Sequence, residues 1–310
     1  MVYEAKALGT TTNSGAELSQ VFDPVIQNTL NSETNFLNMI PRVKGGGDKP
    51  RFRARTGRNN AVSYYGENDT ISTGNQTRVK AYGEWKLYKA GVEVTGLEIE
   101  AAKASGGELA NIYAREIKDA TDDLMVELST DLFGSGADQT AGTALCGLKR
   151  LIDDGTNYNT LYGVTRSSNW VASGYDETSE AISLSRMRTM VKTCVEAGAS
   201  RKDLVFVTSP KQIAAYKSLL QDLQIVMPDA TRVGFEGIPA LDGIPIVEAQ
   251  HCDDDYLYLL DMSVLKIMEL LPATLKPLPS AKDAEAGFIR TYLELVCEAP
   301  CRCYKKINLT

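Results

Sequence analysis

Alternation of apolar and polar residues is strongest after a glycine run at Gly45-Gly46-Gly47. Arg51, Arg53 and Arg55 alternate with Phe52 and Ala54. In a return run, Val79, Ala81, Trp85 and Leu87 alternate with Arg78, Lys80, Tyr82, Glu84, Lys86 and Tyr88. Period-two alternation predicts two strands, with cations on one face and apolar side chains on the other. Between them, residues from about Tyr65 to Gln76 are rich in Gly, Asn, Asp, Ser and Thr and read as a polar tip. A lone two-stranded ribbon is marginal in water, so this one must lie on something.

Helical spacing dominates elsewhere. Residues 1–44 read as an arm, in which Asp23-Pro24 supplies an N-cap and a first-turn proline before Val25, Ile26 and Leu30. A second short apolar cluster is Phe36, Leu37, Met39 and Ile40. The three glycines that follow are a hinge or a crossing point. The longest helical pattern runs from Glu108 to Phe133, with Leu109, Ile112, Ile117, Leu124, Leu128 and Leu132 on one stripe and acids opposite. At about 1.5 Å per residue this is a rod of roughly 39 Å, stopped at Gly134-Ser135-Gly136.

From residue 145 to 260, helix and strand alternate. Leu184 to Glu196 reads as a helix with Leu184, Met187, Val191, Cys194 and Val195 inward, and Asp203 to Val207 as a strand. Ser209-Pro210-Lys211-Gln212 offers an N-cap, a first-turn proline and a capping-box glutamine for a helix through Leu223. Ile244 to Val247 and Tyr256 to Leu260 read as short buried strands. Val264 to Leu275 and Phe288 to Lys305 read as long ones, joined by a polar stretch at Ser280 to Ala286. No internal repeat or low-complexity stretch is present.

Composition narrows the function classes. The 310 residues carry 33 Lys plus Arg against 40 Asp plus Glu, a net charge of −7, which argues against a dedicated nucleic-acid binder. A single histidine, His251, excludes chemistry that needs several imidazoles. No signal-peptide core and no run of about 18 apolar residues appears, so no membrane partner is expected. Six scattered cysteines read as reduced thiols of a soluble cytoplasmic product.

Catalytic motifs are missing. There is no G-x-S-x-G and no G-x-G-x-x-G opening a helix, and Gly142 to Gly147 with Leu148-Lys149 misplaces the lysine of a phosphate loop. His251-Cys252-Asp253-Asp254-Asp255 offers acids for a divalent cation with His251 as base. Without a turn glycine, it reads better as a solvated acidic loop between strands. Cys297, Cys301 and Cys303 lack a second pair for zinc and read as core or partly buried thiols, with Cys301 and Cys303 sharing a strand face. No catalytic residue, metal site or cofactor is expected, and the chain reads as a non-enzyme.

The order of parts then becomes informative. An arm, a long two-stranded loop, a long solitary helix, a mixed α/β region and closing long strands resemble the major capsid protein of tailed phages. That is an α+β coat fold, typified by phage Hong Kong 97 and shared with encapsulins. The stretch Gly234-Phe-Glu-Gly-Ile-Pro-Ala-Leu-Asp-Gly-Ile-Pro-Ile-Val is similar to the Gly/Pro-marked passage of its axial domain. Gly91-Val-Glu-Val-Thr-Gly-Leu-Glu-Ile-Glu-Ala-Ala is similar to the passage leading into its spine helix. The resemblance implies an N-terminal arm over 1–48 and an extended ribbon loop over 49–90. It implies a peripheral domain over 91–145 and 262–298 with its spine helix at 108–133, and an axial domain over 146–261 and 299–310.

It also implies a coat subunit that self-assembles into hexamers and pentamers of an icosahedral shell around double-stranded DNA. The chain would reside in the virion, and in the host cytoplasm during assembly. A separate scaffolding protein is expected, because Met1 runs almost at once into the arm, together with a portal protein and room for a decoration protein. An encapsulin-like shell around an enzyme cargo is the alternative. Charge adds one contact. Residues 41–58 carry seven cations and one acid, and residues 98–131 nine acids and three cations, so the two segments are +6 and −6. Arg51, Arg53 and Arg55 are therefore expected to meet Glu116, Asp119 and Asp123 of a neighbouring subunit.

Overall fold

A computed structural model describes residues 35–57, 59–104, 109–167, 170–221, 239–279 and 282–310, with side chains omitted at 102–113 and 221. The expected helix after Asp23-Pro24 lies outside them, as does the 234–238 end of the Gly/Pro-marked passage. In chain order the elements begin with α1 (Asn35–Met39), β1 (Arg42–Lys44), β2 (Arg51–Arg55), β3 (Arg78–Tyr82) and β4 (Lys86–Thr95). Then come α2 (Gly96–Ala104), α3 (Leu109–Leu132), α4 (Leu148–Leu151), β5 (Thr160–Leu161), β6 (Val164–Thr165) and β7 (Gly174–Asp176). The remainder is α5 (Leu184–Glu196), β8 (Leu204–Thr208), α6 (Pro210–Gln221), β9 (Ala240–Leu241), β10 (Ile244–Glu248), β11 (Leu257–Asp261), β12 (Leu265–Leu278), β13 (Ala284–Cys297) and β14 (Tyr304–Lys306).

The chain divides into two compact units. One holds Leu87–Glu127 and Leu271–Thr291, the other Glu33–Lys86, Leu128–Leu270 and Tyr292–Thr310. The second unit is built on a six-stranded sheet of order β7-β14-β11-β8-β10-β9. β8 and β10 are parallel, and α6 starts the crossover between them, as a parallel pair requires. Every residue of β8 and β11 is buried, which is why DLVFV carries no alternation. One face of that sheet packs Leu204, Phe206, Ile244, Ile246, Leu257 and Leu259 against α5 and α6. In the other sheet, of order β1-β12-β13-β4, β1 pairs in parallel with Ile267–Glu269.

Several expectations hold. α5 has the expected bounds, its N-cap Ser183 accepting from Arg186 N at 3.4 Å, and α3 ends where Gly134 N donates to Asp131 O. The glycine run is a crossing point. A Cβ on Gly45 would stand inside van der Waals contact of Trp85 Cη2 and 3.1 Å from Cζ2, and Trp85 Nε1 donates to Gly47 O at 3.2 Å.

Other expectations need correction. The return run is two strands, because Gly83 N donates to Pro50 O and Glu84 N to Asp138 O, which breaks the ladder. Consecutive Trp85 and Lys86 are both buried, so the alternation slips by one. Lys86 then points inward and Leu87 is 58% exposed, the reverse of the expected faces. On α5 the buried stripe is Met187, Met190, Val191 and Cys194, while Val195 lies one residue beyond it and is exposed. The capping box at Ser209 does not form: Ser209 Oγ has no partner among the described residues, and Gln212 Nε2 donates instead to Asp254 O at 2.7 Å. The last long strand ends at Cys297. Pro300, which lacks an N–H, opens a 3₁₀ turn through Arg302, so Cys301 and Cys303 do not share a strand.

Candidate functional site

β2 and β3 pair antiparallel with Arg51 opposite Tyr82, Arg53 opposite Lys80 and Arg55 opposite Arg78. Directly opposed residues share a sheet face, so Arg51, Arg53, Arg55, Arg78 and Lys80 stand together, all exposed. Arg53 facing Lys80 and Arg55 facing Arg78 are like-charge pairs, which destabilise a ribbon left alone. The cationic face the sequence predicts is therefore real and carries unrelieved repulsion. A groove of about 670 Å³ is lined there by Lys49, Arg51, Arg53, Lys80 and Tyr82.

The other ribbon face anchors it. Ala54 and Ala81 are buried, and Phe52 meets the Tyr162 ring edge-on at 5.2 Å and the Trp170 ring at 6.2 Å. Tyr82 N donates to Tyr162 O at 3.1 Å. Tyr162 and Gly163, with φ of 52° and 75°, form the two-residue turn between β5 and β6, and both angles are those of a type I′ hairpin. A Cβ on Gly163 would press on the Tyr82 ring at 3.1 Å, so glycine suits both the turn and the contact. The ribbon rests on its own unit at its base, which answers what it lies on.

Partners temper the cationic charge at its margin. Arg51 Nη2 donates to Asp48 Oδ1 at 2.8 Å, between exposed side chains. Lys49 pairs with Glu84, whose hydrogen bond raises the lysine pKa. Arg55 Nε reaches only Gly57 O at 3.4 Å.

The distal part of the connection is exposed and partly apolar rather than simply polar. Val62 is 83% exposed, Tyr65 71% and Ile71 70%, and Tyr64 is wholly exposed.

Glu116, Asp119 and Asp123 lie on α3, in the other unit, at i, i+3 and i+7 and so along one side of the helix. Asp119 and Asp123 are exposed and Glu116 is half-buried. Leu124, Leu128 and Leu132 are buried as the stripe predicts.

Sequence reasoning missed a buried polar cluster. Lys86, with no exposed surface, donates to Ala137 O, to Thr140 O at 2.7 Å and to Thr143 Oγ1 at 2.9 Å. Buried Asp138 pairs with Arg150 at 2.7 Å and accepts from Tyr162 N. Glu294 is fully buried, and among the described residues neither carboxylate oxygen makes a well-formed hydrogen bond; burial drives its pKa far up, against the pull of Lys86 and the Cys146 backbone N–H. β14 adds two buried lysines, Lys305 beside Asp153 and Lys306 beside Asp176. Burial lowers the Lys305 pKa to about 8.

The reactive-looking clusters engage neighbouring groups. His251 Nδ1 lies 3.0 Å from Ser129 Oγ, and burial lowers the imidazole pKa. Asp253 pairs with Lys149, and Cys252 is buried. Among the described residues, no group of three or more His, Cys, Asp or Glu is placed to hold a metal ion. Cys297 and Cys303 are buried and Cys301 is half-buried, all as free thiols. No helix among the described residues is long and apolar enough to cross a membrane.

Known structures share this fold. The capsid asymmetric unit of cyanophage A-1(L) superposes with a TM-score of 0.72 at 17% identity, covering 92% of this chain and 95% of that one. The capsid of a native GTA particle gives 0.68 at 14%, covering 93% and 94%. The holo-SrpI encapsulin complex of Synechococcus elongatus PCC 7942 gives 0.61 at 12%, covering 97% and 96%. The α+β coat fold expected from the order of parts is thus the fold of the molecule. No curated protein matches the chain in sequence. The model of one family, described as the SU10 major capsid protein, matches residues 6–310. A ribbon anchored at its base, a 24-residue helix and a family match across almost the whole length lead to one conclusion: the chain belongs to the SU10 major capsid protein family and is a phage coat protein.

Proposed function

We propose that the chain is the repeating subunit of an icosahedral shell, grouped into hexamers and pentamers, that encloses double-stranded DNA. A scaffolding protein and a portal protein join it during assembly in the host cytoplasm, and a decoration protein is a further partner. The chain has no catalytic role. In this reading residues 1–48 are the arm and 49–90 the extended loop. Residues 91–145 and 262–298 form the peripheral domain, and 146–261 with 299–310 the axial domain. The observation that carries the reading is the ribbon: among the described residues it is anchored at its base, bare of cover over Val62, Tyr64, Tyr65 and Ile71, and repelling itself across Arg53–Lys80 and Arg55–Arg78. Those features favour a neighbouring subunit as the missing cover.

The acidic side of α3, at Glu116, Asp119 and Asp123, is the complement we assign to Arg51, Arg53 and Arg55 of the neighbour. Single exposed pairs contribute about 0–1 kcal/mol, so the array acts through repetition and register. Reversing the three arginines to Glu should abolish shells on a sucrose gradient at low salt. Adding Glu116→Lys, Asp119→Lys and Asp123→Lys should restore some of them. Full assembly by the triple reversal alone would remove the electrostatic contact from the account. The encapsulin likeness keeps a second reading in view, a shell around an enzyme. Purified particles that carry DNA rather than a protein cargo would decide for the coat.

A further inference from the structure

α5 and α6 both pack on one face of the six-stranded sheet. Met187, Met190, Val191 and Cys194 of α5 share one buried cluster with Ile213 and Tyr216 of α6 and with the inward residues of β8, β10 and β11. Each helix is joined directly to β8, one before it and one after, so both run antiparallel to it. Their outward sides are cationic. Residues 183–221 contain seven cations and two acids, a net +5, while the remainder of the chain is −12.

Arg188, Lys192, Arg201, Lys202, Lys211 and Lys217 are all exposed. Arg188 pairs with Asp242 at 3.1 Å, and Lys192 reaches Glu196 at 3.7 Å. Arg201, Lys202, Lys211 and Lys217 make no ion pair among the described residues. On the ribbon, Lys49 and Arg51 at its margin pair with Glu84 and Asp48. A rigid helical layer backed by a packed core, with cations spread over two helices and a turn, fits a polyanion with regularly spaced charges. Lys211 and Lys217 stand about 9 Å apart along α6.

We infer that this α5–α6 layer is the surface of the coat subunit that contacts packaged double-stranded DNA, through the phosphate backbone and without base readout. The inference rests on the coat-protein reading and deepens it by naming the wall that faces the nucleic acid. Backbone contacts alone suit a container, because they hold any sequence and release it as ionic strength rises.

Formaldehyde cross-linking of DNA-filled shells, followed by nuclease digestion and peptide mapping, tests the surface. Nucleotide adducts on Lys202, Lys211 and Lys217 are expected; adducts confined to Lys44, Lys49 and Lys80 would overturn the inference. A variant with Arg201→Gln, Lys202→Gln, Lys211→Gln and Lys217→Gln supplies the second arm. Binding of unassembled subunits to mixed-sequence duplex should lose roughly 0.9 from its log K against log salt slope per contact removed, about 3 to 4 in all. The variant should still form shells. An unchanged slope overturns the inference, and an unchanged slope with lost assembly hands the face to a second copy of the chain. Shells absent from parent and variant alike would instead count against the coat reading, which the duplex-binding slope reads separately.

Discussion

Replacing Glu294 by Gln distinguishes two accounts of the buried cluster around Lys86. Among the described residues neither Glu294 carboxylate oxygen makes a well-formed hydrogen bond, and burial pushes the carboxyl well above its usual range. Burial thus favours the neutral acid, while Lys86 is satisfied by the Ala137 and Thr140 carbonyls and the Thr143 hydroxyl. A raised folded-state pKa means stability that is full below the unfolded carboxyl range and is lost as pH rises toward the folded value. Over that window the parent should lose about 1.4 kcal/mol per pH unit, the worth of one proton bound in the folded state only.

Glu294→Gln keeps shape and neutrality and should remove that slope, so its urea midpoint at pH 7 should equal or exceed that of the parent. Lys86→Met strips donors from three buried acceptors and should cost about 3–5 kcal/mol, the range for breaking a buried charged network. The assay is urea unfolding of dissociated subunits between pH 5 and 7.5, so that assembly does not enter. If Glu294→Gln costs more than about 2 kcal/mol at pH 7, the carboxyl is an ionised partner of Lys86 and the reasoning fails.

Two further outcomes follow from single side chains. The Lys305 pKa lies at about 8, below the ordinary value of 10.5, so its charge opposes folding at neutral pH and stability recovers as pH rises through that window. Lys305→Met should therefore stabilise by about 2 kcal/mol at pH 7, after loss of the bond to Lys149 O, and the advantage over the parent should fade by pH 10.5 in paired denaturation curves. Gly45→Ala drives a methyl into the Trp85 ring and should cost about 1–3 kcal/mol, whereas Gly46→Ala enters open space and should shift Tm little; equal effects would contradict the crossing-point geometry.

The ribbon was readable because half-buried strands show their faces in every second residue, and five residues at 51–55 sufficed. The slip between Trp85 and Lys86 was not readable, since the bonds that cause it come from Pro50 and Asp138, far away in sequence. α5 showed its bounds through spacing, yet Val195 lies only one residue beyond the stripe and reads equally apolar. Lys86 read as part of the cationic face, and nothing in a local pattern announces a carbonyl or carboxylate waiting in the interior for it or for Lys305 and Lys306. Of the candidate contact, the arginine face was legible and its like-charge pairing was not, because the register of β2 against β3 decides it. The α5–α6 cations escaped notice for a related reason. Only the shared cluster of apolar residues shows that both helices lie on one face of the sheet.

Negative-stain electron microscopy of the purified chain, produced alone and with the proposed scaffolding protein, tests the central claim most directly. The account predicts closed icosahedral particles built of sixfold and fivefold clusters. Monomers or dimers alone under every condition of salt and co-expression would contradict it.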